Sequence, residues 1–352
     1  MAKLLVEPTE KGLWCESACV HVDPWRPVEA AVVTHGHADH ATPGCGRYIA
    51  SPETASILRI RYGIKAPIDE LAPGEFRDVG SARISLHPAG HILGSTQVRI
   101  EVSGSVTVVT GDYKTDPDPT CTPFECVECD ALLTESTFGL PVFKWPSDAD
   151  VFDAVNRWWR GNVDQGMNSV VFAYSLGKAQ RVLAGVDASI GPILVHGAVD
   201  NMLAPYHEAG IGLPETHRAL VEAAKESAGR ALIIAPPSAA GAPWMRKFTP
   251  CSTAFASGWM AVRGTRRWRA VDRGFVISDH ADWDGLLDTV QRSGAKFVGV
   301  THGYTRQFSR YLRDELGIDA EPVATRYSGE GESESEDEQV PSKQVSASGG
   351  AS

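Results

Sequence analysis

Residues 32–44 read VVTHGHADHATPG. A run of apolar and β-branched residues, Val32, Val33 and Thr34, gives way to three histidines and an aspartate within six positions: His35, His37, Asp39 and His40. β-branched residues favour a strand, and Gly36 allows a tight turn directly after it. On such a turn, positions i, i+2 and i+5 can converge on one point while i+4 leans towards a second. Imidazole nitrogen and carboxylate oxygen are ligands that zinc takes, and a catalytic zinc keeps one position open for water. Packing does not explain four such side chains together, because each would need its own buried partner. The turn therefore reads as a metal site.

Of the 352 residues, 43% are hydrophobic and 22% charged, ordinary values for a globular chain with a substantial core. The length fits one large domain or two of ordinary size. No stretch approaches the ~20 apolar residues needed to cross a bilayer. The opening MAKLLVEPTEKGLW has no long apolar run behind its lysine, so neither a membrane anchor nor a secretory leader is expected. Seven cysteines, an odd number in a long chain, fit reduced thiols and a cytoplasmic location better than a disulfide framework. The net charge of −11 argues at first against nucleic acid. Residues 330–352, EGESESEDEQVPSKQVSASGGAS, however, hold six carboxylates and one lysine, so −5 of that charge sits in the tail. The tail has almost nothing to bury and reads as a disordered, solubilising segment. Local charge, not the total, decides phosphate binding.

Residues 1–135 read as short strands, several with period-two alternation, and ETASILRIRYG as a helix. From about residue 139 helix and strand alternate: DADVFDAVNRWWRGNVDQG and LGKAQRVLAGV as helices, SVVFAY, PILVHG, RALIIAPP and TAFASG as buried strands. That pattern predicts βαβ units and a parallel sheet. After about 272 the chain returns to strand, helix, strand in GFVISD, WDGLLDTVQRSG and KFVGVTHG. Ligand-type residues stand on both sides of the middle segment, as they would if that segment were an insertion.

Further candidates lie at strand ends: Asp23 in VHVDP, His91 in PAGHILGS and Asp112 after the apolar strand VTVVTGD. Taken singly, a buried histidine or a turn aspartate needs no function. Taken together, HGHADH resembles the HxHxDH motif of the metallo-β-lactamase fold, and His91 and Asp112 follow in the order that superfamily requires. LLTESTFG with Glu135, VISDHADW with His280 and GVTHGY with His302 resemble motifs A, B and C of the β-CASP nucleases. AYSLGKAQRVL is similar to the helix opening their inserted domain. TESTFGLPVFKWP, ASGWMAVRG and RGFVISDHADW most resemble the bacterial ligase-associated DNA exonucleases. Those are relatives of the eukaryotic DNA cross-link repair nucleases and of the pre-mRNA 3′-end cleavage endonuclease. The resemblance extends to about residue 328.

The resemblance implies an α/β protein: an αββα metallo-β-lactamase sandwich from residues 1–138 and 272–328, an inserted β-CASP α/β domain at 139–271, and a disordered acidic tail at 329–352. It implies that His35, His37 and His91 bind one divalent ion, that Asp39, His40 and His302 bind a second, and that Asp112 bridges them. Zinc is expected, with manganese as the alternative. Two such ions about 3.5–4 Å apart support in-line displacement at a phosphodiester. Asp23 is implied to orient the histidine turn by hydrogen bonding. His280 is implied as general acid for the leaving oxygen, with Glu135 keeping it protonated; read alone, Glu135 is as readily a strand-end carboxylate capping the next helix. His302 cuts across the subfamily, since DNA-specific eukaryotic members typically carry valine at motif C and RNA-acting members histidine.

GWMAVRGTRRWRAVDRG places Arg263, Arg266, Arg267, Arg269 and Arg273 around Trp268. Arginine grips phosphate and an aromatic ring stacks a base, although a charged edge strand would look the same. Ser175 is read as a helix cap and Lys178 as a first-turn cation, together a candidate phosphate site. Cys121, Cys126 and Cys129 supply one CxxC without a second pair and read as packed or surface thiols. Trp158 and Trp159 read as core and interface residues. The expected function is a metal-dependent DNA exonuclease, 5′→3′, trimming ends in repair and associated with an ATP-dependent DNA ligase. The alternatives are an RNA-processing β-CASP ribonuclease, a small-molecule ester or lactone hydrolase, and a non-catalytic nucleic-acid-binding subunit.

Overall fold

The computed structural model describes residues 3–262 and 271–326. Strands β1 (Glu7–Pro8), β2 (Leu13–Cys15), β3 (Val20–Val22), β4 (Ala30–Val32), β5 (Arg47–Ala50) and β6 (Ile68–Glu70) lie side by side in chain order in a first sheet. Helix α1 (Pro52–Tyr62) joins β5 to β6. The Ser51 hydroxyl accepts from the Thr54 N–H and Pro52 opens the helix, so its start is set by cap chemistry. A second sheet begins with β7 (Phe76–Val79), β8 (Ala82–Pro88), β9 (Thr96–Val102) and β10 (Ser105–Val109), an antiparallel meander, followed by β11 (Ala131–Ser136) parallel to β10.

The chain then builds a separate sheet before finishing the second one. Strands β12 (Asn168–Phe172), β13 (Ile193–Val195), β14 (His217–Arg218), β15 (Leu232–Ala235), β16 (Cys251–Ala256) and β17 (Arg273–Phe275) pair in parallel, in the order β14-β13-β15-β12-β16-β17. Helices α2 (Asp148–Val163), α3 (Lys178–Gly185), α4 (Gly197–Asp200), α5 (Leu203–Glu208) and α6 (Val221–Glu226) lie between its strands or lead into it. After α7 (Trp283–Arg292), β18 (Phe297–Gly303) docks parallel to β11. Helix α8 (Thr305–Leu316) and β19 (Asp319–Pro322) close the second sheet. The sequence places the return at about residue 272, but Arg273–Phe275 still pairs with β16. The third sheet therefore extends a few residues further: the strand expected at GFVISD begins as β17, and its partner is β16 of the interposed sheet, a choice that local sequence does not encode.

The first two sheets face each other. Val22, Val32 and Ile49 of one pack against Ile84, Leu86, Val98 and Ile100 of the other. The outer face of the second sheet, with Val108, Leu132 and Val298, is covered by Leu286 and Val290 of α7 and Phe308 and Leu312 of α8. The outer face of the first sheet packs Tyr48 and Ala50 on Leu58 of α1. The layers run helix, sheet, sheet, helix, each burying an apolar face that water would otherwise meet.

In the interposed unit, Trp159 is fully buried in a cluster with Val171, Leu232 and Ile234, and its indole N–H donates to the Arg230 carbonyl at 3.0 Å. Trp158 is half-buried against Phe275. Trp159→Ala removes the largest side chain of this core and is expected to lower the unfolding free energy by about 3–5 kcal/mol, read from urea denaturation. Among the described residues, no helix is long and apolar enough to cross a membrane. The tail from 327 and the segment 263–270, with Arg263, Arg266, Arg267, Trp268 and Arg269, lie outside the described residues. Arg273 is described and is exposed.

Candidate metal centre

The loop after β4, the loop between β8 and β9 and the end of β18 bring the ligand-type histidines together at one end of the paired sheets, and the rings of His35, His37, His40 and His91 are each turned by a partner outside the ligand groups. Asp23 follows β3 at φ +45°. Its carboxylate accepts from the Thr34 N–H (2.8 Å) and the Thr34 hydroxyl (2.6 Å), and lies 2.8 Å from His40 Nδ1. The Thr34 hydroxyl donates to Asp23, so its oxygen accepts from His35 Nδ1, 3.0 Å away. His91 Nδ1 donates to the Asp279 carbonyl at 2.7 Å, and His37 Nε2 to the Leu176 carbonyl at 3.2 Å. A ring nitrogen facing a carbonyl must carry the proton, which leaves the other nitrogen with a lone pair.

That assignment puts three lone pairs face to face. His37 Nδ1 lies 3.1 Å from both His35 Nε2 and His91 Nε2, and Asp112 Oδ2 stands 3.8 and 3.9 Å from the latter two. Nitrogen lone pairs so close repel unless a cation lies among them. The second group shows the same need. His40 Nε2 and Asp112 Oδ1 are buried without a hydrogen-bond partner; His40 Nε2 is 3.4 Å from Asp112 Oδ2, and His302 Nδ1 is 3.5 Å from Asp112 Oδ1. In each group, His35–His37–His91–Asp112 and His40–Asp112–His302, the ligand atoms lie within 4.8 Å of one another. The donor set is nitrogen and carboxylate oxygen, so the residues fit a pair of divalent ions sharing Asp112. Half-buried Asp39 adds an oxygen 3.6 Å from His40 Nε2. A cavity of about 30 Å³ beside Asp39, His40 and His302 has room for a water.

The turn sorts its histidines differently from the spacing argument. Positions i and i+2 share one group, while i+5, His40, joins Asp112 and His302. Asp23 causes the difference by drawing His40 Nδ1 towards β3. Burial opposes charge on His40, but Asp112, Asp39 and Asp23 outweigh it and raise its pKa well above the ordinary value. Burial also opposes charge on Asp112, yet facing His40 and His302 hold its carboxyl well below the usual range. Burial pushes His91 down to about 3, with the His280 charge adding to the effect. Gly111 makes the approach of Asp112 feasible. At φ +57° an added Cβ would meet Thr34 Oγ1 at 2.6 Å. Gly111→Ala is expected to abolish high-affinity zinc binding, measured by titration against a chromophoric chelator, because it displaces Thr34 and the Asp23 network together.

Across the cluster, His280 Nδ1 sits 3.0 Å from both oxygens of Glu135, which is only 1% exposed. Glu135 also accepts from the Tyr113 N–H at 2.8 Å. Burial disfavours charge on His280, but the Glu135 carboxylate and its hydrogen bond, with Asp112 and Asp279, overcome it and lift the imidazole to about 10. His280 also belongs to two further ligand-type groups, with Asp112 and Glu135 and with His91 and Asp279.

Two readings from sequence change. Gly177, not Ser175, is the N-cap of α3, and no side chain caps that helix. Lys178 does not face solvent as a phosphate contact would; it is 2% exposed and lies 3.2 Å from Asp279 Oδ1. Asp279 is the residue the sequence reading missed, although it stands directly before His280 in SDHADW. Among the described residues no ligand-type group contains a cysteine, and burial raises the Cys121 and Cys129 thiols to about 12.

No family model matches the chain. It is 28% identical over 312 residues to a "Probable DNA ligase" of Opitutus terrae, covering 88% of this chain and 30% of that protein. It is 33% identical over 112 residues to "Endoribonuclease ysh1" of Aspergillus fumigatus, covering 31% and 13%. With "Cleavage and polyadenylation specificity factor 73" of Drosophila melanogaster it shares 26% over 179 residues, 47% and 25% of the two chains. The chain thus spans less than a third of the length of these relatives. Among solved structures, a protein of unknown function from Enterococcus faecalis V583 superposes with a TM-score of 0.57 at 12% identity, over 85% of this chain and 80% of that one. Relatives of this kind, a sandwich interrupted by a parallel sheet, and two histidine groups sharing one aspartate lead to one conclusion: the chain belongs to the β-CASP family of the metallo-β-lactamase fold.

Proposed function

We propose that this chain is a metal-dependent phosphodiesterase that trims DNA ends from the 5′ side, with the sandwich on either side of residues 139–275 forming the catalytic domain and 139–275 the β-CASP insert. The observation that carries the proposal is His280. A histidine held protonated by Glu135 stands beside Asp112, on the rim of a lone-pair cluster that calls for cations. When bound, a pair of divalent ions acidifies the attacking water and neutralises charge building on phosphoryl oxygens. The chain supplies the rest. Asp112, shared by both groups, keeps them in register. With Nδ1 on Glu135, His280 presents Nε2 as the atom that gives its proton to the departing 3′-oxygen.

DNA is favoured because the match covering 88% of the chain is to a protein named as a DNA ligase, which also supports action alongside an ATP-dependent ligase. RNA is the second reading, supported by His302 and by relatives named as endoribonucleases over shorter stretches. The test is to give the zinc- or manganese-loaded protein end-labelled single-stranded DNA, duplex DNA, RNA and a generic ester. Mononucleotides released from 5′-labelled DNA are the expected product. Cleavage of RNA alone selects the second reading, and turnover of the ester alone overturns both.

A further inference from the structure

Two cations of α3 are buried where the interposed unit meets the sandwich: Lys178 is 2% exposed and Arg181 4%. Lys178 Nζ lies 3.2 Å from Asp279 Oδ1 and 4.8 Å from the centre of the Tyr174 ring. Arg181 donates to the Ser278 carbonyl and, at 2.6 Å, to Asp148 Oδ1, and its Nε is 3.2 Å from Asp118 Oδ2. One helix turn therefore grips two consecutive residues, Ser278 by its backbone and Asp279 by its side chain, immediately before His280. Taking two cations out of water costs several kcal/mol each before their partners respond. Apolar packing would join the two units at lower cost, so the ion pairs must secure something more specific than adhesion.

What they secure is the position of one carbonyl. The Asp279 C=O accepts from His91 Nδ1 at 2.7 Å, and that bond turns His91 Nε2 towards His37. The next residue is His280, whose own N–H is held by the Ser278 hydroxyl at 3.1 Å. We propose that Lys178 and Arg181 are positioning residues: by pinning Ser278 and Asp279, the inserted unit aims His91 into the first ligand group and keeps His280 on Glu135. The inference rests on reading that group as a metal centre, but does not require that DNA be the substrate. It gives the insert a role in assembling the site, separate from gripping substrate.

The test uses the full chain with Lys178→Met, Lys178→Arg and Asp279→Asn. Zinc affinity is measured by competition with a chromophoric chelator without substrate, the His91 tautomer by long-range ¹H–¹⁵N NMR, and kcat and KM on the best substrate. Lys178→Met is expected to weaken one zinc position about 10–100-fold, to erase the Nδ1-protonated signature of His91, and to lower kcat with KM changed less than about twofold. Lys178→Arg should recover most of each loss. Asp279→Asn keeps the backbone carbonyl but removes the ion pair, so it should repeat the loss even if Lys178→Met fails to fold. Unchanged zinc affinity and an unchanged His91 tautomer in the folded variants would overturn the proposal. A loss confined to KM would also overturn it and return Lys178 to substrate contact. The zinc and NMR readouts stand even if no nuclease activity is found.

Discussion

Asparagine in place of Asp112 is expected to abolish the proposed cleavage and to leave the protein unable to hold two zinc ions. Among the described residues Asp112 alone is common to both principal ligand groups, and Asn keeps its shape while removing its charge. Loss of a shared carboxylate forfeits several kcal/mol of charge stabilisation, or about 10³-fold or more in kcat/KM at 1.36 kcal/mol per decade. Zinc content after dialysis, by mass spectrometry, should fall below that of the unmodified protein, while circular dichroism shows the fold intact. Retention of both ions at full affinity would remove Asp112 from the centre of the account.

The second large effect is a pH dependence. His280 has to be protonated to act as an acid, and its folded-state pKa of about 10 lies above the ordinary 6.5. Activity should therefore hold across neutral pH and fall as the pH climbs through about 10. Glu135→Gln removes the strongest influence raising that value, leaving only Asp112 and Asp279 against burial, so the pKa falls. A full return to the ordinary 6.5 leaves about one in thirty protonated at pH 8, so the variant should lose up to about 30-fold there and recover on acidification. His280→Ala should lose about 10²–10⁴-fold at every pH. The same shift bears on stability. A group with a raised folded pKa contributes fully below its unfolded value of 6.5, and that contribution disappears as the pH rises towards about 10. A Glu135→Gln rate profile superimposable on that of the unmodified protein would show that His280 is not the acid.

The residues that converge here were legible to the extent that their chemistry is written in residue type. His35, His37 and His40 stand out because three imidazoles after a β-branched run have no packing rationale, and Asp23, His91 and Asp112 follow the strand ends on which a layered α/β fold collects its site. What spacing alone could not show was which nitrogen each ring presents. That depends on Thr34, Leu176 and Asp279, two of them acting through backbone carbonyls that every residue possesses. Lys178 looked like a phosphate contact because a cation at a helix start is a local feature. Its partner lies about a hundred residues further along, and only the packing of α3 on the 278–280 loop makes the ion pair visible. β17 differs for another reason: a strand at GFVISD is legible from its apolar run, but which sheet it joins is not, and Arg273–Phe275 pairs with β16 instead of returning to the sandwich. The helices α2, α3 and α7 were easier, since each is long enough for one apolar face to repeat; α8, equally long, has no counterpart in the sequence reading.

Anomalous diffraction from crystals grown with zinc, recorded on either side of the zinc absorption edge, locates the ions themselves. Two peaks are expected with Asp112 between them, one amid His35, His37 and His91 and the other amid His40, Asp39 and His302. A single peak, or density centred on His91, Asp279 and His280 instead, would contradict that arrangement.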